Sequence, residues 1–264
     1  MTMAQTTWQF DEVEARRLLA LYVTPDIVSQ RGDFLRALNP QPGERVLDIG
    51  SGPGFVAAAI ADAVGSPGAV HGVDISEPLL AIARAHCVDR PWVDFHHADA
   101  TQLPFPDGDF DAVISTQVLE FVSDVDAALA EIHRVTRPAG RVVIVDTDWD
   151  SIVWHSPNPE RMRRVLAAWE QHAANSYLPR TISNQLRHAG FEVTAERILP
   201  LFNPTYDPNS FSNRIIDSIV SFVIDRNGIV RAEAEAWARE LRQTGEQGKY
   251  FFSLNRYLFL ARRK

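Results

Sequence analysis

Between residues 45 and 148 the chain alternates short apolar runs with stretches of helical periodicity. Val46, Leu47 and Ile49 read as a buried strand, and the Ala-rich run Phe55 to Ala63 reads as the helix that follows it. A second strand spans Ala69 to Val73, followed by a helix from Pro78 to Cys87, and a third strand covers Trp92 to His97. Phe110 to Thr116 is a fourth strand, trailed by the short run Gln117 to Val122, and Asp126 to Val135 is helical. Arg141 to Val145 is the fifth strand. Repeats of about 20 to 30 residues, strand then helix, dictate a parallel sheet covered by helices, an α/β fold. In such sheets a ligand sits at the carboxyl ends of the strands, so Gly50, Asp74, Asp99, Thr116 and Asp146 to Trp149 should converge on one rim.

The flanks have a different texture. Residues 11–24 place Ala15, Leu18, Leu19 and Tyr22 on one helical face, closed by Pro25; a second helix buries Ile27, Val28, Phe34, Leu35 and Leu38. Beyond the fifth strand, helices are expected over Arg161 to Tyr177 and Arg180 to His188, then a sixth strand over Phe191 to Ile198. Tyr257 to Arg262 reads as a last strand, and between these two strands lie helical stretches Ser210 to Asp225 and Val230 to Thr244. A sheet hairpin needs only a few connecting residues, so this insertion has another task. The expected organisation is an N-terminal helical lid (1–40), an α/β core (41–201), a helical cap insertion (202–250) and a closing core strand (251–264). A cap would exclude water and shape a pocket; pairing two copies into a homodimer is the compatible alternative for the same helices.

The chemistry concentrates in Asp48-Ile49-Gly50-Ser51-Gly52-Pro53-Gly54. A glycine loop between strand and helix presents free N–H groups to a ligand. The spacing is G-x-G-x-G, and Phe55 stands where a dinucleotide loop wants its third glycine. Asp48 would repel a pyrophosphate and attract a ligand carrying positive charge. S-adenosylmethionine (SAM) fits, having an ammonium and a sulfonium and no phosphate. Asp74 falls 20 residues after Gly54, where such folds place the acid that holds the ribose hydroxyls.

Composition narrows the partners. A net charge of −8 argues against sequence-independent nucleic-acid binding and against anionic membranes. The single cysteine, Cys87, precludes an intrachain disulfide, Met1 to Thr7 lacks the features of a signal peptide, and no run is long enough to span a bilayer. A cytoplasmic location is expected. No metal-binding constellation is visible, because there is no HExxH, no paired CxxC, and the histidines are scattered.

Val46 to Gly54, Gly72-Val73-Asp74-Ile75-Ser76, Asp99-Ala100, Leu103 to Asp111 and Glu131 to Gly140 together resemble class I SAM-dependent methyltransferases, over roughly residues 40–148. The most similar branch is that of ubiquinone/menaquinone-biosynthesis and related small-molecule enzymes. The resemblance implies a Rossmann-like, doubly wound seven-stranded sheet with its last strand antiparallel. It implies that Gly50, Ser51 and Gly52 pass under the methionine part, with Asp48 placing its ammonium. Asp74 would hold the ribose, Ile75 would pack on adenine, Asp99 and the Ala100 amide would meet the adenine edge, and Thr116 and Gln117 would close the methionine end. Two features set the chain apart: many relatives carry a histidine where Glu120 stands, and a single cysteine disfavours arsenite as acceptor.

Methyl transfer needs an acceptor aligned behind the methyl group, water kept out, and a base where the acceptor must lose a proton. His155 and Asp148, after the fifth strand, are the candidate catalytic residues, although a surface histidine and a capping aspartate are the plainer readings. Trp149, Trp154 and Trp169 offer aromatic faces for a flat or apolar acceptor, with core packing as the default for any one of them. The sequence thus predicts a SAM-dependent methyltransferase acting on a small organic molecule. The alternatives are a SAM-binding protein without transfer and, contradicted by Phe55, an NAD-dependent oxidoreductase.

Overall fold

In the computed structural model, which describes residues 12–264, seven strands form one sheet in the order β3-β2-β1-β4-β5-β7-β6. They are β1 (Arg45–Ile49), β2 (Ala69–Asp74), β3 (Val93–His97), β4 (Phe110–Thr116), β5 (Thr136–Trp154), β6 (Phe191–Asn203) and β7 (Phe252–Arg263). β1 to β5 are parallel, and β7 runs antiparallel to both β5 and β6, as the resemblance implies. The order reverses between β1 and β4, which opens a crevice at their carboxyl ends. Met1–Thr7 and the first residues of the expected lid lie outside the described residues.

Two layers of helices cover the sheet. One face carries α2 (Pro25–Leu38), α3 (Phe55–Val64) and α4 (Glu77–His86), whose Phe34, Leu38, Ala57, Ile60, Ala61, Leu80 and Ala83 bury against Val46, Val70, Ile114 and Val143. The other carries α5 (Val125–Val135) and α7 (Ile182–His188), packed on Leu47, Val113, Val142 and Ile144. Asp124 caps α5 by accepting from the Ala127 amide at 2.9 Å. No helix joins β3 to β4; residues 98–109 cross that face as a loop, with Phe105 laid over the sheet.

The last strands outrun their sequence patterns. β5 continues past Val145 to Trp154 because its ladder with β7 continues, from Asp146 opposite Tyr257 to Trp154 opposite Phe252, with a register shift between Asp148 and Val153. This extension carries the cap. α1 (Glu12–Tyr22), α6 (Pro159–Trp169), α8 (Phe211–Val223) and α9 (Arg231–Glu246) close over it around Trp154, Met162, Trp169, Phe211, Phe222, Trp237 and Phe252. α6 was expected inside the core segment; its Met162, Val165 and Ala168 instead share this cluster with α8 and α9. Among the described residues no helix is long and apolar enough to cross a membrane.

Candidate functional site

The glycine loop turns where a side chain would collide. Gly50 has φ +67°, and a Cβ there would lie 2.0 Å from Val118 Cγ2; Gly54 has φ +80° and lies against Ala83. The loop is fixed from β2: Asp74 Oδ2 accepts from the Gly52 amide at 2.9 Å, and Oδ1 from the Ser76 amide at 2.8 Å. Ser51 N–H donates to the Val73 carbonyl at 2.9 Å. Asp74 therefore shapes the loop as well as standing at the expected ribose position, and Ile75 beside it is 43% exposed despite its apolar side chain.

Asp48 is 1% exposed, and neither carboxylate oxygen has a hydrogen-bond partner. Burial, and then the neighbouring Asp74, raise its pKa from 3.8 to about 8; the Ala57 amide in the first turn of α3 eases this only in part. Asp74 is likewise raised by burial, against the bonds it accepts from backbone amides. The Ser51 hydroxyl is also buried without a partner. Two crowded acids and an orphaned hydroxyl behind a ring of amides favour a polar ligand bearing positive charge.

These residues open onto a cavity of about 20 Å³ lined by Asp48, Gly50, Ser51, Thr116, Gln117 and, from the lid, Tyr22 and Arg31. Gln117, at φ +58°, receives a hydrogen bond from the Thr147 hydroxyl and donates its backbone N–H to the Val145 carbonyl at 2.7 Å. Ligand pockets usually exceed about 300 Å³, so the space is closed down by α1 and α2. Their pin is Phe55. The Arg31 guanidinium lies 4.8 Å above its ring, the Tyr22 ring is 6.1 Å away, and Arg31 also donates to the Tyr22 carbonyl at 2.8 Å.

Asp99 and Ala100 follow the carboxyl end of β3 in the 98–109 loop, and Asp99 Oδ1 is engaged by the amide and hydroxyl of Thr101, at 2.8 and 2.7 Å. The two base candidates do not join the glycine-loop cavity. Asp148 is held by Arg180 through two bonds, at 2.8 and 2.9 Å. His155 is exposed and lines a separate groove with Ile152, Trp154 and Phe251. Asp148 is taken up by Arg180, and His155 follows the part of β5 beyond the register shift, where Trp154 packs on Trp237 and Phe252 of the cap cluster. Trp149, Trp154 and Trp169 are 5%, 6% and 1% exposed and pack mainly edge to face with their neighbours, so they serve chiefly as cap core.

Sequence reasoning missed a buried charge cluster beneath the rim. Asp146 Oδ1 accepts from the amides of Val118 and Glu120 at 3.1 and 3.3 Å, and Glu120 Oε2 accepts from Thr147 N–H at 3.0 Å. Arg256, buried on β7, donates to Gln30 Oε1 at 3.0 Å and also lines the cavity. Burial raises Glu120 to about 7; burial and then Glu120 raise Asp146 well above the carboxylate range, and burial lowers Arg256. Adjacent strands also bring His71, Asp94 and His96, far apart in the sequence pattern, to within 4.8 Å of one another.

Residues 47–144 match the family described as "Methyltransferase domain". An uncharacterized 37.1 kDa protein in transposon TN4556 of Streptomyces fradiae is 35% identical, over 68% of this chain and 52% of its own length. Demethylmenaquinone methyltransferase of Geobacillus kaustophilus is 41% identical, over 44% of this chain and 51% of its own. The chain thus spans about half the length of these curated relatives. A solved structure of a putative methyltransferase from Bacillus halodurans superposes with a TM-score of 0.65 at 18% identity, over 89% of this chain and 99% of that one. At that identity the likeness speaks for the fold.

Proposed function

We propose that this chain, whose residues 47–144 form a class I methyltransferase domain, transfers a methyl group from SAM to a small organic acceptor and releases S-adenosylhomocysteine. The observation that carries this reading is Asp48, a buried carboxylate with both oxygens unpartnered behind the glycine loop. A phosphate-bearing cofactor would oppose ionisation of Asp48 and Asp74 still further, whereas an ammonium would allow Asp48 to ionise and pair with it.

When bound, SAM supplies an electrophilic methyl on a sulfonium. The chain's own residues bind and orient. Asp48 would hold the methionine ammonium, Gly50, Ser51 and Gly52 would form the floor, and Asp74 would add the ribose diol to the amides it already accepts from. Ile75 would pack on the adenine, Asp99 and the Ala100 amide would meet its edge, and Thr116 and Gln117 would close the methionine end. Tyr22 and Arg31 would withdraw to admit the cofactor and return to exclude water. Asp148, neutralised by Arg180, is poorly placed to take a proton, and His155 would need the cap groove to be the acceptor's path.

The test is calorimetric titration of SAM, S-adenosylhomocysteine and NADH into the wild type, Asp48→Asn and Asp74→Ala. Binding of the two sulfur compounds, weakened at least tenfold in each variant, supports the site, and release of S-adenosylhomocysteine with acceptors of stated structure then tests transfer. Preference for NADH, or no binding to any of the three, overturns the reading.

A further inference from the structure

Three ligand-type side chains with no part in the cofactor site meet on β2 and β3. β3 is an edge strand whose residues 94 and 96 share one face, and His71 of β2 lies directly across from Asp94 in the parallel register. His71 Nδ1 is 3.1 Å from His96 Nε2, and His96 Nε2 is 3.4 Å from Asp94 Oδ2. Two ligands on a tetrahedral ion at about 2.0–2.1 Å are separated by about 3.3 Å, so both spacings are already those of a shared ion.

The surroundings orient the set. Asp94 Oδ1 accepts from the Phe95 amide at 2.8 Å, which leaves Oδ2 turned to the histidines. Phe105 meets both imidazoles edge to face, at 5.4 Å from His71 and 5.1 Å from His96, and Phe110 meets His71 at 5.7 Å. Aromatic rings cover this side of the cluster, while the Asp94 side chain, 69% exposed, leaves the other side open to water. The nearby Arg45 guanidinium is already paired with Asp109 at 2.8 Å. The loop at 98–109 makes the site reachable, because a helix there would bury this face.

We propose that His71 Nδ1, His96 Nε2 and the Asp94 carboxylate bind a borderline divalent cation of the Zn²⁺ type, with water in the remaining position. Two imidazoles and one carboxylate suit Zn²⁺, Co²⁺, Ni²⁺ or Cu²⁺ and not Ca²⁺ or Mg²⁺. A bound ion would take the lone pair of His71 Nδ1 and of His96 Nε2, which leaves the other nitrogen of each ring to carry the proton. The site lies apart from the glycine-loop cavity, so the ion would tie the edge strand to its neighbour and take no part in transfer.

The test uses tag-free protein, stripped with chelator and titrated with Zn²⁺ by calorimetry and with Co²⁺ by visible absorption. One ion per chain is expected, with a four-coordinate Co²⁺ spectrum and a Tm raised by a few degrees. Affinity should fall at least tenfold in His96→Ala, in the volume-conserving His71→Gln and in Asp94→Asn, and stay unchanged in His188→Ala, an exposed histidine elsewhere. Circular dichroism of each variant separates lost binding from lost folding. Absence of binding below about 100 μM, or binding of equal strength in all four variants, overturns the proposal.

Discussion

Replacing Asp48 by Asn should change how stability depends on pH, and the size of the change follows from its burial. The carboxyl has no hydrogen-bond partner, and its pKa rises from 3.8 to about 8 on folding. An acid raised on folding gives stability that is fully present below its unfolded pKa and lost as pH climbs to the folded one. Between pH 6 and pH 8 the unfolded chain is ionised there while the folded chain still binds the proton. At about 1.36 kcal/mol per unit, levelling off near 8, the wild type loses about 2.5 kcal/mol from this group between pH 6 and pH 9.

Asp48→Asn carries no proton to lose. Its unfolding free energy, measured by urea denaturation at constant ionic strength, should gain about 2.5 kcal/mol on the wild type across that range, whatever the two values are at pH 6. The other buried acids, Glu120, Asp146 and Asp74, titrate in both proteins and largely cancel from the difference. SAM should bind the wild type more tightly as pH approaches 8, because its ammonium pairs with the ionised carboxylate, and this rise should vanish in the variant. Parallel stability curves for the two proteins would refute the reasoning, showing that Asp48 is solvated or already ionised.

The remaining predictions touch the rim, its lid and the cluster beneath it. Glu120→Gln removes a carboxyl raised to about 7, so the variant should lose less stability than the wild type between pH 4.5 and 7, by up to about 3 kcal/mol; coincident urea titrations across that range would contradict this. Gly50→Ala should cost several kcal/mol, because φ is +67° and the new Cβ would meet Val118. Adding Val118→Ala should recover only the steric part, and a double-mutant cycle with no coupling energy would count against the contact. Arg31→Ala removes the guanidinium from Phe55 and from the Tyr22 carbonyl, interactions worth about 2 kcal/mol together. Dissociation of S-adenosylhomocysteine, followed by stopped flow, should quicken about tenfold or more, and an unchanged rate would mean that this pin does not hold the lid.

The sequence shows what is local and hides what the chain joins over distance. β1 to β4, the glycine loop and Asp74 were legible because each strand is a continuous apolar run and each loop has one job. β5 and β7 run longer than their apolar patterns because they are held by backbone pairing to each other: Asp146, Thr147 and Asp148 are polar and buried, so no alternation marks them as strand. The same residues bear on the Asp148 reading. Read as loop, Asp148 seemed free to meet a substrate, but as ladder it is aimed at Arg180, 32 residues later. Arg256 and Gln30 are 226 residues apart and meet beside the cavity, a pairing that no periodicity can signal. His71, Asp94 and His96 belong to the same class of omission. A metal motif is recognised in sequence when its ligands share one loop or helix turn, whereas here the parallel register supplies the proximity, and only where the β3–β4 connection lacks a helix does that register remain open to solvent.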